Sequence, residues 1–354
     1  MRRPIADVVR AGIVAAACVV WLAADAAADD ASTCTTAASP ACYFALAAPG
    51  DGGALRYYAS LPPPPVAPDS ARLAPTHMLI ALHGHPRDAD RTFDAALAAV
   101  RNGGTLGSTL VVAPVFQVDA ARAGRCRTPG VPAAAAGDAL WTCVSWMEGG
   151  RADSGLTSFA ALDALVAGLA RQWPSLRAVT VAGFSAGAQM VQHYIGFAGA
   201  APPGLSVRYV VSDPGTWLYF DAFRPAPPLP GSCSDANNWK YGTDALPAPL
   251  GRDAATARLR YAEADVHYME GALDSGDAPG TYYRILDKSC AAMAQGVDRL
   301  QRGLAYAAYD RALLAPPRQR QVTVVPGCAH DVACVFPSPA ARAALLGAAP
   351  PTMR

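Results

Sequence analysis

The sequence contains few charged residues for its length. Only 16% of its 354 residues are charged, lysine occurs only at two positions, and the formal net charge is +1. The chain therefore has neither the basic character typical of proteins that bind nucleic acid nor an acidic tail. Because 52% of the residues are hydrophobic, a chain of this length can bury a large core. Composition predicts a globular protein that does not have nucleic acid as its partner.

Long apolar segments are missing after the N-terminal region. Three arginines within the first ten residues precede an apolar stretch at residues 11–24, and small residues follow at 26–28. This order is typical of a secretory signal peptide, which we expect to span residues 1–28. A lipoprotein signal would use Cys18, but the alanines before it lack the usual large residue. The apolar stretch is too short to span a membrane comfortably. We therefore expect a secreted or periplasmic protein without stable membrane insertion.

The sequence has no C-x-x-C pair of the kind that binds zinc or catalyses redox reactions. Eight cysteines follow the predicted signal peptide, which is an even number. Eight cysteines permit about 105 connectivities, so the pairing is a hypothesis based on proximity. Proximity predicts the disulfides Cys34–Cys42, Cys126–Cys143 and Cys328–Cys334, and leaves Cys233 with Cys290. Such a set of disulfides indicates an oxidising compartment.

The most informative motif present is G-x-S-x-G at residues 183–187, with Ser185 at its centre. Val179 and Val181 precede it in a short apolar run, and apolar residues at helical spacing follow it. This pattern predicts a buried strand that turns sharply into a helix and exposes a serine nucleophile at the turn. The alternative is a tight glycine-rich turn without catalytic function. The flanking strand and helix patterns favour the nucleophile.

Strand and helix patterns alternate along most of the chain. Strands are predicted at 53–61, 77–82, 109–115, before Ser185, and at 206–211, 265–268 and 320–325. Helices are predicted at 90–100, after Thr157, after Ser185, and at 253–261, 291–313 and 340–346. This alternation predicts an α/β protein with a doubly wound, mostly parallel sheet and helices on both faces. We expect one domain over residues 29–354, with insertions at about 117–150 and 214–251, the second of them cap-like.

A nucleophilic serine needs a histidine base and an acid that orients it. His330 follows the last predicted strand and is the candidate base, whereas His267 lies within a strand and is predicted to belong to the core. In this type of sheet the acid precedes the histidine in the chain. Asp274 follows the strand before it and is the first candidate, with Asp277 and Asp213 as alternatives. A surface-loop histidine without function is the alternative for His330.

Catalysis at a carbonyl group also needs two donors for the oxyanion. The residue after the nucleophile supplies one N–H, here that of Ala186, and the loop after the strand at 77–82 supplies the other. Because Pro86 has no N–H, His85 is the candidate, with Arg87 in reserve. His83 and His85 also form an H-x-H pair that could bind a metal. No further ligand stands at a suitable spacing, so neither a metal nor another cofactor is expected.

These motifs together resemble those of the α/β-hydrolase superfamily, across nearly all of the chain that follows the signal peptide. The resemblance rests on residues 83–84, 183–187, 271–274 and 327–330. It extends to secreted, disulfide-bearing hydrolases with G-x-S-A-G turns, which are relatives of esterases and polyester depolymerases. It implies a secreted serine hydrolase that cleaves carboxylic esters, small or polymeric, through an acyl-enzyme. The alternatives are a serine peptidase or amidase of the same fold, or a catalytically silent binding protein.

The second predicted insertion, residues 214–251, is rich in aromatic side chains, and we call it the aromatic segment. Its aromatic residues include Trp217, Tyr219, Phe220, Trp239 and Tyr241. Aromatic rings in this position could line a pocket for an acyl group or an aromatic alcohol. Alternatively, they pack the segment onto the body of the domain. The sequence leaves both interpretations open.

Overall fold

A computed structural model describes residues 34–64, 74–227 and 232–347, so the predicted signal peptide lies outside the described residues. The strands are β1 (Tyr43–Ala47), β2 (Ala54–Ala59), β3 (His77–Leu82), β4 (Thr109–Val115), β5 (Ala178–Phe184), β6 (Ser206–Ser212), β7 (Asp265–Gly271) and β8 (Val322–Val325). The α-helices are α1 (Ala89–Asn102), α2 (Ser158–Gln172), α3 (Ala186–Phe197), α4 (Ala254–Glu263), α5 (Cys290–Met293), α6 (Arg299–Tyr309), α7 (Val332–Val335) and α8 (Arg342–Leu346).

The eight strands form one sheet in the order β1-β2-β4-β3-β5-β6-β7-β8. β1 and β2 pair antiparallel, as do β2 and β4, and every other neighbouring pair is parallel. The carboxyl ends of β3, β5, β6, β7 and β8 therefore meet at one edge of the sheet. Loops after these ends lie where ligands bind in sheets of this kind.

Helices cover both faces of the sheet, and alternate residues of a central strand show this directly. Met78, Ile80 and Leu82 of β3 face one buried cluster, while Leu79 and Ala81 face another. The first cluster includes apolar residues of α2, α3, α4 and α6, and the second those of α1, α7 and α8. The prediction of a doubly wound, mostly parallel sheet is confirmed.

Several predicted elements differ from those in the structure. β1 was not predicted, and the helix predicted at 291–313 is divided into α5, α6 and a π-helix at Asp310–Leu314. The break falls at Gly296, whose φ is 140°, and Asp298 then caps α6 by accepting the N–H of Gln301. The prediction that His267 belongs to the core was wrong: its side chain is 37% exposed and contacts Asp265.

The structure contains all four disulfides that proximity suggested. They are Cys34–Cys42, Cys126–Cys143, Cys233–Cys290 and Cys328–Cys334. The last one closes a ring of chain that contains His330. Across the described ranges, no helix has both the length and the apolar character needed to cross a membrane.

Candidate active site

Ser185 stands at the turn between β5 and α3. Its φ of 57° and ψ of −118° are unusual for a residue with a side chain, and such strain is typical of functional positions. Two glycines permit the turn. A Cβ atom on Gly183 would collide with the backbone of Gly187, and one on Gly187 would collide with the carbonyl of Leu82 in β3. The motif therefore needs glycine at both positions because the backbones approach too closely for any side chain.

Ser185, His330 and Asp274 form a continuous chain of hydrogen bonds. His330 Nε2 lies 2.8 Å from Ser185 Oγ, and His330 Nδ1 lies 2.7 Å from Asp274 Oδ2. Both His330 and Asp274 are buried. Burial lowers the pKa of His330 below its usual value, and the hydrogen bond to Asp274 opposes this effect. A neutral imidazole with its proton on Nδ1 can accept the proton of the serine hydroxyl.

The loops that carry the acid and the histidine are held together by backbone hydrogen bonds. We call residues 272–289, between β7 and α5, the acid loop. The N–H of Leu273 donates to the Cys328 carbonyl at 2.8 Å, and the N–H of His330 donates to the Gly280 carbonyl at 3.2 Å. The positions of Asp274 and His330 are thus fixed relative to each other by the loops as well as by their side chains.

Arg299, in the first turn of α6, is a member of the site that the sequence did not identify. Its Nη1 donates to the Thr281 carbonyl at 2.6 Å and lies 3.3 Å from Asp274 Oδ1, and the side chain is buried. The positive charge of Arg299 lowers the pKa of His330 further. No sequence pattern links Arg299 to Asp274, because the two are brought together only by the packing of α6 against the acid loop.

Asp213, an alternative acid, lies near Asp274 and His330 but forms its hydrogen bonds with other residues. It is fully buried after β6, where its two oxygens accept hydrogen bonds from the Ser212 hydroxyl and the Gly271 N–H, both at 2.7 Å. Burial, and then the charge of Asp274, raise the pKa of Asp213 to about 7. Glu270 is also buried, and burial raises its pKa well above the usual value. Asp277, the other alternative, is exposed.

Three of these side chains form the one group with metal-ligand spacing in the described part of the chain. Oxygen or nitrogen atoms of Asp213, Asp274 and His330 lie within 4.8 Å of one another. However, His330 Nδ1 and Asp274 Oδ2 are in direct hydrogen-bond contact, and both oxygens of Asp213 already accept protein donors. The oxygen and nitrogen atoms that could bind a metal thus already form hydrogen bonds with one another or with other groups of the protein.

The loop after β3 lies beside Ser185, and its residues Gly84 and His85 line the same cavity. Ala186 is the first residue of α3, where N–H groups have no acceptor within the helix, and His85 lines the cavity beside Ser185. The N–H of Arg87, the reserve donor, instead donates to the Gly84 carbonyl at 3.0 Å. The N–H of Arg87 is therefore already engaged within its own loop.

His83 is a core histidine rather than half of a metal pair. Its Nε2 accepts the N–H of Phe116 at 3.3 Å, and its Nδ1 lies 2.8 Å from the Gly84 carbonyl. Because Nε2 accepts a hydrogen bond, Nδ1 carries the ring proton and donates a hydrogen bond to the carbonyl oxygen of Gly84. Burial lowers the pKa of His83 to about 3, so the ring is neutral. It fixes the position of the loop that carries His85.

A cavity of about 190 Å³ opens beside Ser185. Its apolar lining includes Pro86, Phe184, Tyr282, Ile285 and Val332. The size suits a short organic group better than a large ligand, because sites for drug-sized ligands have volumes of about 300–1,000 Å³.

The described residues of the aromatic segment contribute to the core and do not line this cavity. Trp217 is fully buried and stacks on Tyr306 of α6, with ring centroids 4.4 Å apart. Tyr219 and Phe220 are buried in the same cluster. Trp239 and Tyr241 likewise contact the body, through the rings of His193 and Phe197 and through the carboxylate of Asp287. These five residues therefore pack the segment onto the body of the domain and do not line a substrate pocket beside Ser185.

Comparisons with known proteins show which structures this fold resembles. No protein-family profile matches the sequence, and no curated protein sequence matches it. A poly(3-hydroxybutyrate) depolymerase from Bordetella parapertussis has a similar structure, with a TM-score of 0.53, 17% identity, and coverage of 80% of each chain. A siderophore hydrolase from Aspergillus nidulans aligns over 85% of this chain and 94% of its own, with a TM-score of 0.44 and 13% identity. The first likeness, together with the strand order and the turn at Ser185, shows that the chain has the α/β-hydrolase fold.

Proposed function

We propose that this protein is a serine hydrolase that cleaves carboxylic esters through an acyl-enzyme formed on Ser185. The observation that carries the proposal is the hydrogen-bonded chain from Ser185 through His330 to Asp274 at the wall of a cavity. A nucleophile in contact with a base, which is oriented by a third group, is the arrangement that acyl transfer requires.

The reaction would proceed in two halves. Ser185 Oγ attacks the ester carbonyl while His330 Nε2 takes the hydroxyl proton, which gives a tetrahedral oxyanion. When this intermediate collapses, the bond to the alcohol oxygen breaks and His330 returns its proton to the leaving alcohol. A water molecule then attacks the acyl-enzyme with the same base, releasing the carboxylic acid and restoring Ser185.

The surrounding groups would lower the barrier in separate ways. Asp274 would hold His330 with its proton on Nδ1 and stabilise the imidazolium that forms. The N–H groups of Ala186 and His85 would donate to the oxyanion, and each such donor typically contributes about 3 kcal/mol. The positive end of α3, which begins directly after Ser185, would favour the same negative charge.

We further propose that the protein acts outside the cytoplasm. Four disulfides in one chain support an oxidising compartment. A signal peptide at residues 1–28 would deliver the domain there, leaving residues 29–354 as one unit with insertions at about 117–150 and 214–251.

A substrate panel tests the proposed chemistry. Purified protein from residue 29 onward is assayed with p-nitrophenyl esters of graded acyl length and with a panel of peptide amides, and Ser185→Ala serves as the control. Hydrolysis of esters that depends on Ser185 is the expected result. Turnover of amides alone would indicate a peptidase or amidase, and no turnover of either class would indicate a binding protein.

A further inference from the structure

The cavity at Ser185 shares a wall with a second, larger cavity. Tyr282 and Ile285 line both of them, and the second cavity, of about 640 Å³, is formed by the acid loop between Asp277 and Lys288. The cavity at Ser185, at about 190 Å³, is too small to enclose a ligand of ordinary drug size. A larger substrate must therefore extend beyond it, and the neighbouring cavity offers the space.

The shared wall exposes apolar side chains. Tyr282 is 57% exposed and Ile285 is 72% exposed. Single exposed apolar residues are common and need no explanation, but these two lie together where the two cavities meet. Tyr282 also has a φ of 51°, which is uncommon for a residue with a side chain. Residues with such backbone conformations cluster at active sites and ligand-binding sites.

Tyr282 and Ile285 belong to one turn that is anchored to the body of the protein. The N–H of Ile285 donates to the Tyr282 carbonyl at 3.1 Å, so that one turn presents both side chains. Thr281 and Leu286 are buried on either side of this turn, and the Thr281 carbonyl accepts a hydrogen bond from Arg299. Exposure of Tyr282 and Ile285 is thus a feature of an anchored turn.

The position of Tyr282 relative to His330 indicates which part of an ester it would meet. The Tyr282 ring lies edge-to-face with the imidazole of His330, with centroids 6.1 Å apart. In the proposed reaction His330 delivers a proton to the departing alcohol oxygen, so the alcohol lies on the side of His330. His85 lies in the loop after β3 and would face the carbonyl oxygen instead.

Resting on the proposed ester hydrolysis, we propose that Tyr282 and Ile285 form a binding site for the alcohol part of an ester whose alcohol carries an extended apolar segment. The apolar segment would lie across Tyr282 and Ile285 into the second cavity. Exposed charged residues of the acid loop also line that cavity, namely Asp277, Arg284 and Lys288. The apolar requirement concerns the part of the alcohol that lies across Tyr282 and Ile285.

Acetate esters of alcohols of increasing length test this assignment. Acetate release is measured for methyl, butyl and hexyl acetate, and kcat/KM is expected to rise on the order of tenfold or more from methyl to hexyl. Tyr282→Ala and Ile285→Ala should each lower the hexyl-to-methyl ratio by about tenfold. Tyr282→Phe keeps the ring and should keep most of the ratio. Leu259→Ala, which removes an equally exposed apolar side chain from α4, is the matched control and should behave as the parent protein.

A second series varies the acyl part in ethyl esters and separates the two sides of the bond. A hexyl-to-methyl ratio that is unchanged in both alanine variants would overturn the proposal. A preference that follows acyl length instead of alcohol length would also overturn it, while leaving ester hydrolysis intact. If the folded parent protein cleaves no ester of either series, the proposed function fails and this inference fails with it.

Discussion

The aromatic segment and the acid loop differ in how they use their apolar side chains. The aromatic segment holds conspicuous rings, and Trp217 and Tyr219 are fully buried against α6. The acid loop has fewer rings, yet Leu273, Tyr282 and Ile285 are all more than half exposed. A buried ring stabilises the fold through the large apolar area it removes from water, whereas an exposed one beside a nucleophile is available to a substrate. The number of aromatic residues in a segment therefore does not identify a substrate site.

The largest effect on catalysis should come from the acid loop. Asp274→Asn should lower kcat by about 10⁴, because the amide would hold His330 in the wrong tautomer. Asp277→Asn, in the same loop but exposed, is the matched control and should have a mild effect. Steady-state kinetics on a p-nitrophenyl ester measures both. The reverse ranking would move the acid away from Asp274.

The largest effect on stability should come from the aromatic segment. Trp217→Ala removes a fully buried ring and should reduce the free energy of unfolding by about 3–5 kcal/mol. Tyr282→Ala removes an exposed ring and should change it by no more than about 0.5 kcal/mol. Urea denaturation measures both values. The contrast between the two regions would be broken if Trp217→Ala left stability intact and changed the preference among alcohols.

The disulfide ring around His330 should influence catalysis more than stability. Changing Cys328 and Cys334 together to serine should lower kcat on the order of a hundredfold, because a base displaced by about 1 Å loses its alignment. On the chain-entropy model, closing so short a loop contributes only about 2 kcal/mol to stability. The Cys34–Cys42 pair also closes a short loop and is the matched control, which should lose stability without a comparable loss of kcat. Wild-type kcat in the first double variant would refute the proposed role of the ring.

The smallest expected effect is on the pH dependence. His330 must be neutral to act as a base, and burial and Arg299 both lower its pKa. The acid limb of kcat/KM should therefore lie below the ordinary histidine value of about 6.5. Arg299→Gln removes a positive charge beside the imidazole, so its acid limb should move to higher pH. A limb that stays in place, or moves to lower pH, would show that the charge of Arg299 does not act on His330.

The sequence predicted the parts of the fold that local patterns determine. β3 and β4 have the predicted bounds, since each is a short and almost entirely apolar run. The break after α5 was not predicted. The apolar pattern continues at helical spacing on both sides of Gly296, and this continuity hid the interruption. Strand β1 was missed because it depends on pairing with β2 more than on its own pattern.

The same distinction applies to the site. Ser185, His330 and Asp274 each follow a predicted strand end, so chain order named them as first candidates, although Asp213 and Asp277 remained alternatives for the acid until the structure placed Asp274 against His330. The positions of Arg299 against Asp274 and of Tyr282 against His330 could not be predicted, because they depend on how α6 and the acid loop pack around His330. Contacts of this kind leave no periodicity or motif in the sequence.

Covalent labelling of Ser185 tests the central claim most directly. The purified protein is treated with an organophosphonate ester, digested and analysed by mass spectrometry, with Ser185→Ala treated in parallel. We predict a single adduct on the peptide that contains Ser185, complete loss of ester hydrolysis upon labelling, and neither adduct nor appreciable turnover in Ser185→Ala. An adduct on another serine, or a Ser185→Ala protein that retains its activity, would contradict the account.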